Sequence, residues 1–500
     1  MTSSTQVAAP PTPIFSARYR SVVLSLLVTA YAFNFIDRTI INTIGQAIKV
    51  DLKITDSQLG LLNGPAFALL YSILGVPIAR VAERVNRVSI IAGAIVLWSG
   101  FTAACGFTAN FAQLLAMRVG VGIGEAGCSP PSHSLISDYF EPRRRASALA
   151  MYAAGIPVGG MIGAVAGGWL AQHFGWRVAF MAVGAPGLLL ALVMKLVVRE
   201  PPRGLSDPAG GQTGQRPLTG GLGAVLASEV AEMWAIAKIL FGSWPVANII
   251  LGITIVSFSG YGAGAFSSPY FIRAFGLDYA KVGLIFGLIA GVSGLLGTLA
   301  GGLITDWAGR WDKRWYALTP AIGLTLAIPM YFFAYTRPDW KVAAATLLIP
   351  GIFAYTYLGP SFGVVQNVVD PRRRATAAAV MLLFVNIIAL GAGPPFTGAL
   401  IDAFAQFHFN HPGAGGLFAS LSGLFGGHGP LNFAHACPGG KAAEGAGAAL
   451  AMSCKAALVV STRQGMLVTI AISFWGAIHY FLGSIGLRAA MAGPKSATIT

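Results

Sequence analysis

The stretch EPRRRASALAM, residues 141–151, returns later in the chain as DPRRRATAAAV, residues 370–380, at an offset of 229 positions. A second pair of related stretches lies upstream of these two. The basic turn at residues 79–87 corresponds to the turn at residues 302–310, and its Glu83 lies 223 positions before Asp306. Because the two offsets are similar, the chain contains one unit of sequence that occurs twice in the same orientation.

Most of the sequence between these motifs is apolar. The 500 residues are 55% hydrophobic and only 10% charged, whereas soluble domains carry about 25% charged residues. We count twelve apolar stretches, each near the ~20 residues that cross the hydrocarbon core of a bilayer as a helix. The sequence therefore predicts an all-α membrane protein with twelve transmembrane helices in two pseudo-symmetric six-helix bundles.

The predicted domains follow the same division. The chain comprises a disordered N-terminal tail (1–17), an N-terminal six-helix bundle (18–199), a cytoplasmic linker (200–243), a C-terminal six-helix bundle (244–489) and a C-terminal tail (490–500). Within the linker, apolar residues between Leu222 and Phe241 recur at near-helical spacing opposite charged residues, which predicts an amphipathic surface helix. The C-terminal bundle includes a long outer loop, residues 405–463, that is rich in Gly and Ala.

Basic residues are unequally divided between the two sides of the membrane. With both termini in the cytoplasm, 21 of the 33 Lys and Arg residues lie on cytoplasmic segments and 10 on outer segments, in agreement with the positive-inside rule. The net charge of +15 is then a signal of topology, and nucleic acid is not an expected partner. We expect no cleavable signal peptide and a multi-pass location in a bacterial-type inner (plasma) membrane.

Two charged clusters interrupt apolar segments of the first half. The sequence RVGVGIGEA, residues 118–126, places Arg118 and Glu125 about two helical turns apart on one face. The sequence NFIDR, residues 34–38, places Asp37 and Arg38 in the middle of the first helix. A charge at the bilayer centre costs roughly 2.5–3.5 kcal/mol on insertion scales. These side chains are therefore expected to pair and to face an internal cavity.

The two acids outnumber what Arg118 alone neutralises, so at least one of the two carboxyls is expected to hold a proton part of the time, and Asp37, Glu125 and Arg118 are candidate residues for proton coupling. The alternative is a permanent salt bridge that ties the helix of Asp37 to the helix of Arg118 and Glu125. Arg38 could pair with either acid. His133 in helix 4 is a further candidate proton group, although a lone His inside a membrane is more often structural.

The second half carries no charge at the corresponding depth. The repeat offsets match Asp37, Arg118 and Glu125 with the uncharged residues Gly260, Leu347 and Ala354. Aromatic residues of helices 7 and 10 are expected to line this wall of the cavity, with simple helix packing as the alternative for each one. Such a cavity suits a molecule with a charged head and an apolar body. The candidate substrate-binding residues are Asn34, Arg38, Arg118, Tyr152, Tyr261, Phe266, Tyr357 and Asn386.

Charged residues also recur at the predicted cytoplasmic ends of the helices. Their regular pairing of acidic and basic residues favours an inner gate made of charge contacts, whereas the alternative is that the basic residues only set the topology. The candidate gate residues are Glu83, Arg84, Arg87, Asp138, Arg143, Asp306, Arg310, Asp370 and Arg372.

Two of the four cysteines, Cys437 and Cys454, lie in the outer loop, where an oxidising compartment permits a disulfide. Cys105 and Cys128 are expected to be buried thiols. The chain has no phosphate-binding loop, zinc-ligand spacing or nucleophile elbow. We therefore expect no enzymatic activity, cofactor or metal.

The basic turns and the two six-helix halves resemble the major facilitator superfamily. Gly302, Asp306, Gly309 and Arg310 follow its G-x-x-x-D-R-x-G-R motif, with Trp307 in place of the usual base; the first copy departs further. NFIDR, ERVNR, RVGVGIGEA, AGIPVGG and REPPRG together resemble the Spinster family, which is linked to the export of lysophospholipids and sphingolipids. The resemblance implies that Asp37, Arg38, Arg118 and Glu125 are the coupling and substrate-facing charges.

The resulting hypothesis is a monomeric secondary transporter that exports an amphiphilic anionic lipid, coupled to protons, by alternating access within membrane lipids. A second hypothesis keeps the fold but moves small organic anions or drugs, as some bacterial relatives of this type do. A third is a non-transporting membrane receptor or scaffold.

Overall fold

The computed structural model of the chain describes residues 15–82, 84–206, 222–370, 373–414, 416–423, 431–443 and 445–492. These residues form helices and their connections, and no β-strand occurs among them. The gate candidates Glu83 and Arg372 lie outside the described residues, as do residues 1–14, 207–221 and 493–500 of the predicted tails and linker.

The first half of the described chain forms eight helices. They are α1 (Ala17–Asp51), α2 (Asp56–Asn63), α3 (Pro65–Ala82), α4 (Arg87–Cys105), α5 (Phe111–Glu125), α6 (Ser129–Tyr139), α7 (Pro142–Ala153) and α8 (Gly155–Val197). Thr55 and Gln58 form a reciprocal capping box that begins α2. Residues 126–128 between α5 and α6 are not helical, and Pro130 and Pro131 lie in the first turn of α6. We call the side where α1 begins the near side and the side where it ends the far side.

Helix α8 consists of two antiparallel parts. Gly175 has φ 84° and ψ 162°, a conformation outside the helical range that glycine adopts readily. Just after it, the Trp176 indole donates to Asp51 at the far end of α1, at 3.3 Å. At its other end, the Val197 carbonyl accepts a hydrogen bond of 2.9 Å from Tyr19 at the near end of α1. The chain therefore reverses at Gly175, and α8 crosses the bundle twice.

The second half of the described chain repeats this arrangement with more interruptions. Its helices are α9 (Leu222–Gly242), α10 (Trp244–Phe275), α11 (Tyr279–Ala308), α12 (Trp315–Tyr335), α13 (Trp340–Ala354), α14 (Leu358–Asn367), α15 (Arg374–Phe384), α16 (Gly391–Asn410), α17 (Leu417–Gly423), α18 (Phe433–Ala436), α19 (Ala448–Ser484) and α20 (Leu487–Met491). A 3-10 turn (Tyr355–Tyr357) joins α13 to α14, and a π-helical segment (Val385–Leu390) joins α15 to α16. Such π segments frequently occur at functional sites.

Ten helical runs within the described residues are long and apolar enough to cross a membrane. One of them, Arg143–Val197, is divided by the reversal at Gly175. The pair α5 and α6 makes one further crossing, because α5 begins on the far side and α6 ends on the near side. The described helices thus make twelve crossings, six in each half, and the predicted fold class is confirmed.

Small residues bring α8 close to α1. Gly155, Gly159, Gly163 and Gly167 recur at every fourth position and meet Val28, Ala32, Ile36 and Ile40 of α1. A Cβ atom added at Gly163 would lie 2.8 Å from the Cα of Ile36, so a larger residue would separate the two helices. This contact holds α1, which carries two of the four deep charges, close to α8.

Helix α9 packs against the near end of the second half. Ile236 and Leu240 are fully buried there, whereas Val230 and Trp234 on another face are exposed. At the end of the chain, Arg488 of α20 donates two hydrogen bonds to Asp312, at 2.6 and 2.7 Å. These bonds, together with one from the Arg314 N–H, lower the pKa of Asp312 to about 2. The pair is therefore charged at neutral pH and fastens α20 to the turn before α12.

The described residues between α16 and α19 (411–414, 416–423, 431–443 and 445–447) form a small cap on the far side. Cys437 and Cys454 are joined by a disulfide with a Cα–Cα distance of 5.8 Å. Gly439, two residues after Cys437, lies against the far end of α1, where an added Cβ would be 3.2 Å from the Cα of Val50. The cap is thus attached to α19 and touches the first half of the molecule.

We expect Cys437 and Cys454 to react with alkylating reagents only after reduction, whereas the buried thiols Cys105 and Cys128 react only on unfolding. Replacing both disulfide cysteines by Ser should lower the free energy of unfolding by about 3 kcal/mol, because the bridge closes a short loop of the unfolded chain. Mass spectrometry of protein alkylated with and without reductant measures the reactivity of the thiols, and denaturant unfolding measures the free energy of unfolding. Alkylation of both cysteines in unreduced, folded protein would contradict the prediction.

Candidate functional site

The deep charges of the first half lie together between α1 and α5. Arg118 and Glu125 occupy one face of α5, and Asp37 follows Asn34 by one turn on α1. All four residues are at most 1% exposed. Helix periodicity accounts for the alignment within each helix, and the glycine contact between α1 and α8 positions α1 against α5.

Arg38 and Glu125 form the ion pair of this site. The Arg38 Nε donates to Glu125 Oε2 at 2.7 Å. The guanidinium also lies over the rings of Phe35, Phe67 and Tyr71, with distances of 4.9, 4.4 and 4.5 Å to the ring centroids. Three aromatic faces and one carboxylate therefore hold the Arg38 cation at the edge of the cavity.

Arg118 and Asp37 are arranged differently. The Arg118 Nη1 donates to the main-chain carbonyl of Asp37 at 3.3 Å. Within the described residues the Asp37 carboxylate forms no ion pair, although the charges of Glu125, Arg118 and Arg38 all act on it. One acid of the site is thus paired and the other is enclosed without a direct counter-charge.

The second half presents tyrosines to this charged site. Tyr261, in the middle of α10, is 42% exposed, and its hydroxyl interacts electrostatically with Arg38 and Tyr71 of the first half. Tyr357 exchanges a hydrogen bond of 3.2 Å with Ser257, and Tyr355 lies near Tyr261. The cavity between the halves therefore has one charged wall and one aromatic wall.

Three other candidate binding residues lie elsewhere. Phe266 is fully buried in the core on the far side and does not line the open cavity in this conformation. Tyr152 is also buried and stacks on Tyr31, with ring centroids 4.3 Å apart. Asn386 is partly buried within the π-helical segment. His133 contacts the Tyr152 ring edge-on at 5.3 Å.

Sequence reasoning missed the aromatic residues around Arg38. Phe67 and Tyr71 are four residues apart on α3, and their rings stack at 5.1 Å. Their spacing in the sequence could have indicated a shared aromatic surface, because residues at i and i+4 lie on the same face of a helix.

On the near side, the structure brings together two of the predicted gate residues. Arg87 is buried and bonds to Asp138 at 2.5 Å and to Glu200 at 2.6 Å, and Asp138 accepts a further bond from the Gly204 N–H. This network lies within the first half. Arg84, Arg143, Arg310 and Asp370 are exposed, and Asp306 accepts a bond of 3.3 Å from Tyr316.

On the far side, a buried ionic cluster joins the two halves. Asp56 of α2 binds Arg273 of α10 at 2.5 Å and Lys49 of α1 at 3.0 Å. Arg273 also donates to Gln46 at 2.7 Å. Asp402 of α16 accepts bonds from the Asp56 and Ser57 main-chain N–H groups at 2.9 and 2.8 Å. Hydrogen bonds between the halves in the described chain cluster on this side, so the far side is closed.

The contact between α8 of the first half and α11 of the second is also closest on the far side. At Gly283, near the far end of α11, an added Cβ would overlap the Ala164 carbonyl oxygen of α8. Farther along α11, the nearest atom of α8 to an added Cβ belongs to Met161, at 3.1 Å for Gly287 and 3.7 Å for Gly291. The halves therefore diverge toward the near side.

Comparison with known proteins agrees with this architecture. Residues 27–394 match the profile of the Major Facilitator Superfamily. The chain is 32% identical over 385 residues to an MFS-type efflux pump of Mycolicibacterium smegmatis, covering 77% of this chain and 84% of the pump. It is 27% identical over 407 residues to Protein spinster homolog 1 of Mus musculus, covering 77% and 74% of the two chains.

A similar solved structure is that of a bacterial homologue of the human lysosomal transporter Spinster, in an inward-facing and unoccupied conformation. It is 34% identical, with a TM-score of 0.79, and the alignment covers 95% of this chain and 99% of that one. The same homologue in an occupied conformation gives a TM-score of 0.77. With two six-helix halves around a cavity that is closed on one side, this chain belongs to the major facilitator superfamily of membrane transporters and resembles its Spinster members.

Proposed function

We propose that this transporter moves an amphiphilic anion, such as a lysophospholipid or a sphingolipid-like molecule, by alternating access coupled to protons. The observation that carries the proposal is the difference between the two walls of the cavity. The first half supplies Arg38, Arg118 and two carboxyls, whereas the second supplies tyrosines. An anionic head would meet Arg38 at the edge of the cavity, and an acyl chain would lie along the aromatic wall.

The Arg38–Glu125 pair supplies a coupling mechanism. While Glu125 is charged, it occupies the Arg38 guanidinium at 2.7 Å. A proton on Glu125 would remove that competition and leave Arg38 free for the substrate head. Conversely, a substrate anion at Arg38 would make the charge on Glu125 less favourable and promote its protonation. Proton and anion would therefore bind together.

In this proposal the near side faces the cytoplasm, as the distribution of basic residues predicts. The far-side ionic cluster then closes the outer end of the cavity. The similarity to inward-facing Spinster homologues supports this orientation. The protein acts as a monomer in a bacterial-type inner membrane, with both termini in the cytoplasm.

Transport of small organic anions or drugs is the second candidate. It is supported by the similarity to proteins named as an MFS-type efflux pump and as a probable L-galactonate transporter, the latter from Escherichia coli and 24% identical over 416 residues. Membership of a transporter superfamily disfavours the receptor or scaffold hypothesis.

Proteoliposomes with and without a pH gradient test these candidates. One panel contains lysophospholipids and phosphorylated sphingosine-type lipids, and the other contains sugar acids and aromatic organic anions. Flux of a lipid that increases with the gradient supports the proposal. Flux restricted to small anions favours the second candidate, and a lack of flux in both panels would contradict both.

Affinity should rise with acyl chain length at a fixed head group, by roughly fourfold per CH₂, because each buried CH₂ contributes about 0.8 kcal/mol. Tyr261→Ala and Tyr357→Ala should weaken this dependence. Phe333→Ala serves as control, because Phe333 is half exposed beside Arg337, near the far end of α12. Competition binding with lysophospholipids of increasing length measures the effect.

The same competition assay separates the roles of two more residues. Phe266→Ala should affect chain-length dependence only through states in which this buried residue becomes accessible. Arg118→Lys should weaken discrimination between head groups indirectly, because Arg118 is enclosed behind Arg38 and a lysine lacks the planar fork that bonds the Asp37 carbonyl. Tight binding of a short polar anion without competition from a lysophospholipid would contradict the assignment of the aromatic wall.

A further inference from the structure

The enclosed part of the charged site contains polar atoms without a protein partner. Asn34 Oδ1, Asp37 Oδ1, Thr102 Oγ1, Arg118 Nε and Glu125 Oε1 form no hydrogen bond within the described chain. Their residues are at most 1% exposed, so bulk solvent does not reach them. Buried polar atoms in folded proteins are nearly always paired, either with protein or with ordered water. These atoms therefore indicate enclosed water.

The five atoms belong to one cluster between α1, α4 and α5. The Thr102 side chain of α4 and the charges of Glu125 and Arg118 act on the Asp37 carboxyl. The Asn34 side chain acts in turn on Glu125. The remaining groups that face Asp37 are Arg38 on its own helix and the Cys105 thiol of α4, whereas α8 presents glycines to this part of α1.

The cluster meets the cavity at the Arg38–Glu125 pair. The Arg38 side chain is 20% exposed, whereas the Glu125 side chain is fully buried behind it. Asp37 lies on the enclosed side and has no ion pair within the described residues. Glu125 is thus nearer to the cavity than Asp37, and unpaired polar atoms lie around both acids. The two acids lie in order from the cavity to the interior of the first half.

We propose that water enclosed by these side chains carries a proton between Glu125 and Asp37, and that Thr102 is the positioning residue that holds this water. The inference rests on the proton coupling proposed above. An O–H bond of the Glu125 carboxylic acid breaks as one forms on the water oxygen. Another O–H bond of that water then breaks as one forms on the Asp37 carboxylate. The proton is conserved, and no further reactant is needed.

Thr102 supplies the hydroxyl group that α4 contributes to this cluster. A hydroxyl on a transmembrane helix commonly bonds back to its own helix. Thr254 of α10 does so, donating to the Ile250 carbonyl at 2.7 Å, whereas Thr102 makes no such bond. Its hydroxyl is thus available to the water beside Asp37.

Thr102→Val tests the proposal, because it removes the hydroxyl and keeps the shape of the side chain. Thr102→Ser restores a hydroxyl, and Thr254→Val is the control for loss of a buried hydroxyl elsewhere. Two readouts in lysophospholipid-loaded proteoliposomes are compared: flux driven by a pH gradient and exchange at equal pH. Infrared difference spectroscopy follows the Asp37 carboxyl band, identified by its loss in Asp37→Asn.

We expect Thr102→Val to lower gradient-driven flux about tenfold, the effect of one lost hydrogen bond on a transfer step, and to leave exchange nearly unchanged. The Asp37 band should titrate at a different pH in Thr102→Val and at the wild-type pH in Thr102→Ser. If wild-type flux does not depend on the pH gradient, the proposed proton coupling itself is overturned. If wild-type flux responds to the gradient but Thr102→Val changes neither the flux nor the titration of the Asp37 band, only the role of Thr102 is overturned. Equal loss of flux and exchange that Thr102→Ser does not restore also overturns it.

Discussion

Replacing Glu125 by Gln should abolish transport driven by a pH gradient, with a loss on the order of a hundredfold, while the protein stays folded. An amide of the same shape fills the same space in α5 but takes up no proton. It also leaves Arg38 permanently without its carboxylate partner at 2.7 Å. The three aromatic rings around the guanidinium continue to hold it, so substrate binding should persist. Flux and binding measured on the same proteoliposomes separate the two effects.

Asp37→Asn should have the same consequence for flux, because the second proton acceptor is lost. Arg118→Ala should be worse, since it leaves the buried Asp37 and Glu125 carboxyls with Arg38 alone beside them, and it should destabilise the fold by about 3–5 kcal/mol. Asp51→Asn is the matched control, because Asp51 is an acid of α1 whose side chain is 45% exposed and paired with Arg177. Full gradient-driven flux in both Asp37→Asn and Glu125→Gln would contradict the coupling assignment and make His133 the next candidate.

Arg273→Ala should open the far side. The cluster there contains the buried residues Asp56, Lys49 and Arg273 and the partly buried acid Asp402. Removing one base leaves an uncompensated charge in the closed state, at a cost of about 3–5 kcal/mol. This cost shifts the equilibrium toward the far-open state by roughly a hundredfold or more. A cysteine placed at Tyr355 in the cavity should then react with an impermeant maleimide added from the far side.

Arg177→Ala is the control for this experiment. Arg177 pairs with Asp51 on the same side at 2.7 Å, but both side chains are exposed and both belong to the first half. A pair of this kind contributes about 0–1 kcal/mol and should not change accessibility. Equal labelling of the cavity cysteine from the far side in wild type and Arg273→Ala would show that the cluster does not hold the closed state.

Features that depend on local sequence were predicted well. The repeated motif at residues 141–151 and 370–380 predicted two equivalent halves, because a repeated sequence forms a repeated unit. The spacing of Arg118 and Glu125 predicted one shared helix face, because helix geometry alone sets it, and both residues are buried on α5. The four glycines of α8 recur at every fourth position, a spacing typical of a close helix contact, and that contact occurs against α1.

Contacts between distant helices were not predictable in the same way. The partner of Glu125 could have been either arginine, and the structure selects Arg38 because α3 brings Phe67 and Tyr71 around its guanidinium. Phe266 and Tyr261 are five residues apart on α10, so helix geometry places them on different faces, and the structure shows that the Tyr261 face is the one turned to the cavity. The sequence does not give the rotation of α10 about its axis.

The sequence by itself determined that the chain is a helical membrane protein of two related halves with charges deep in the first half. Hydropathy and helix periodicity give information about a few turns of one helix, and repeats give information about copies of one unit. None of these patterns tells which side chains of different helices meet. The tertiary structure alone decided which charges pair and which side is closed. Asp56 and Arg273 stand 217 positions apart and meet only because two helices from different halves converge on the far side, where burial makes their attraction strong enough to hold them.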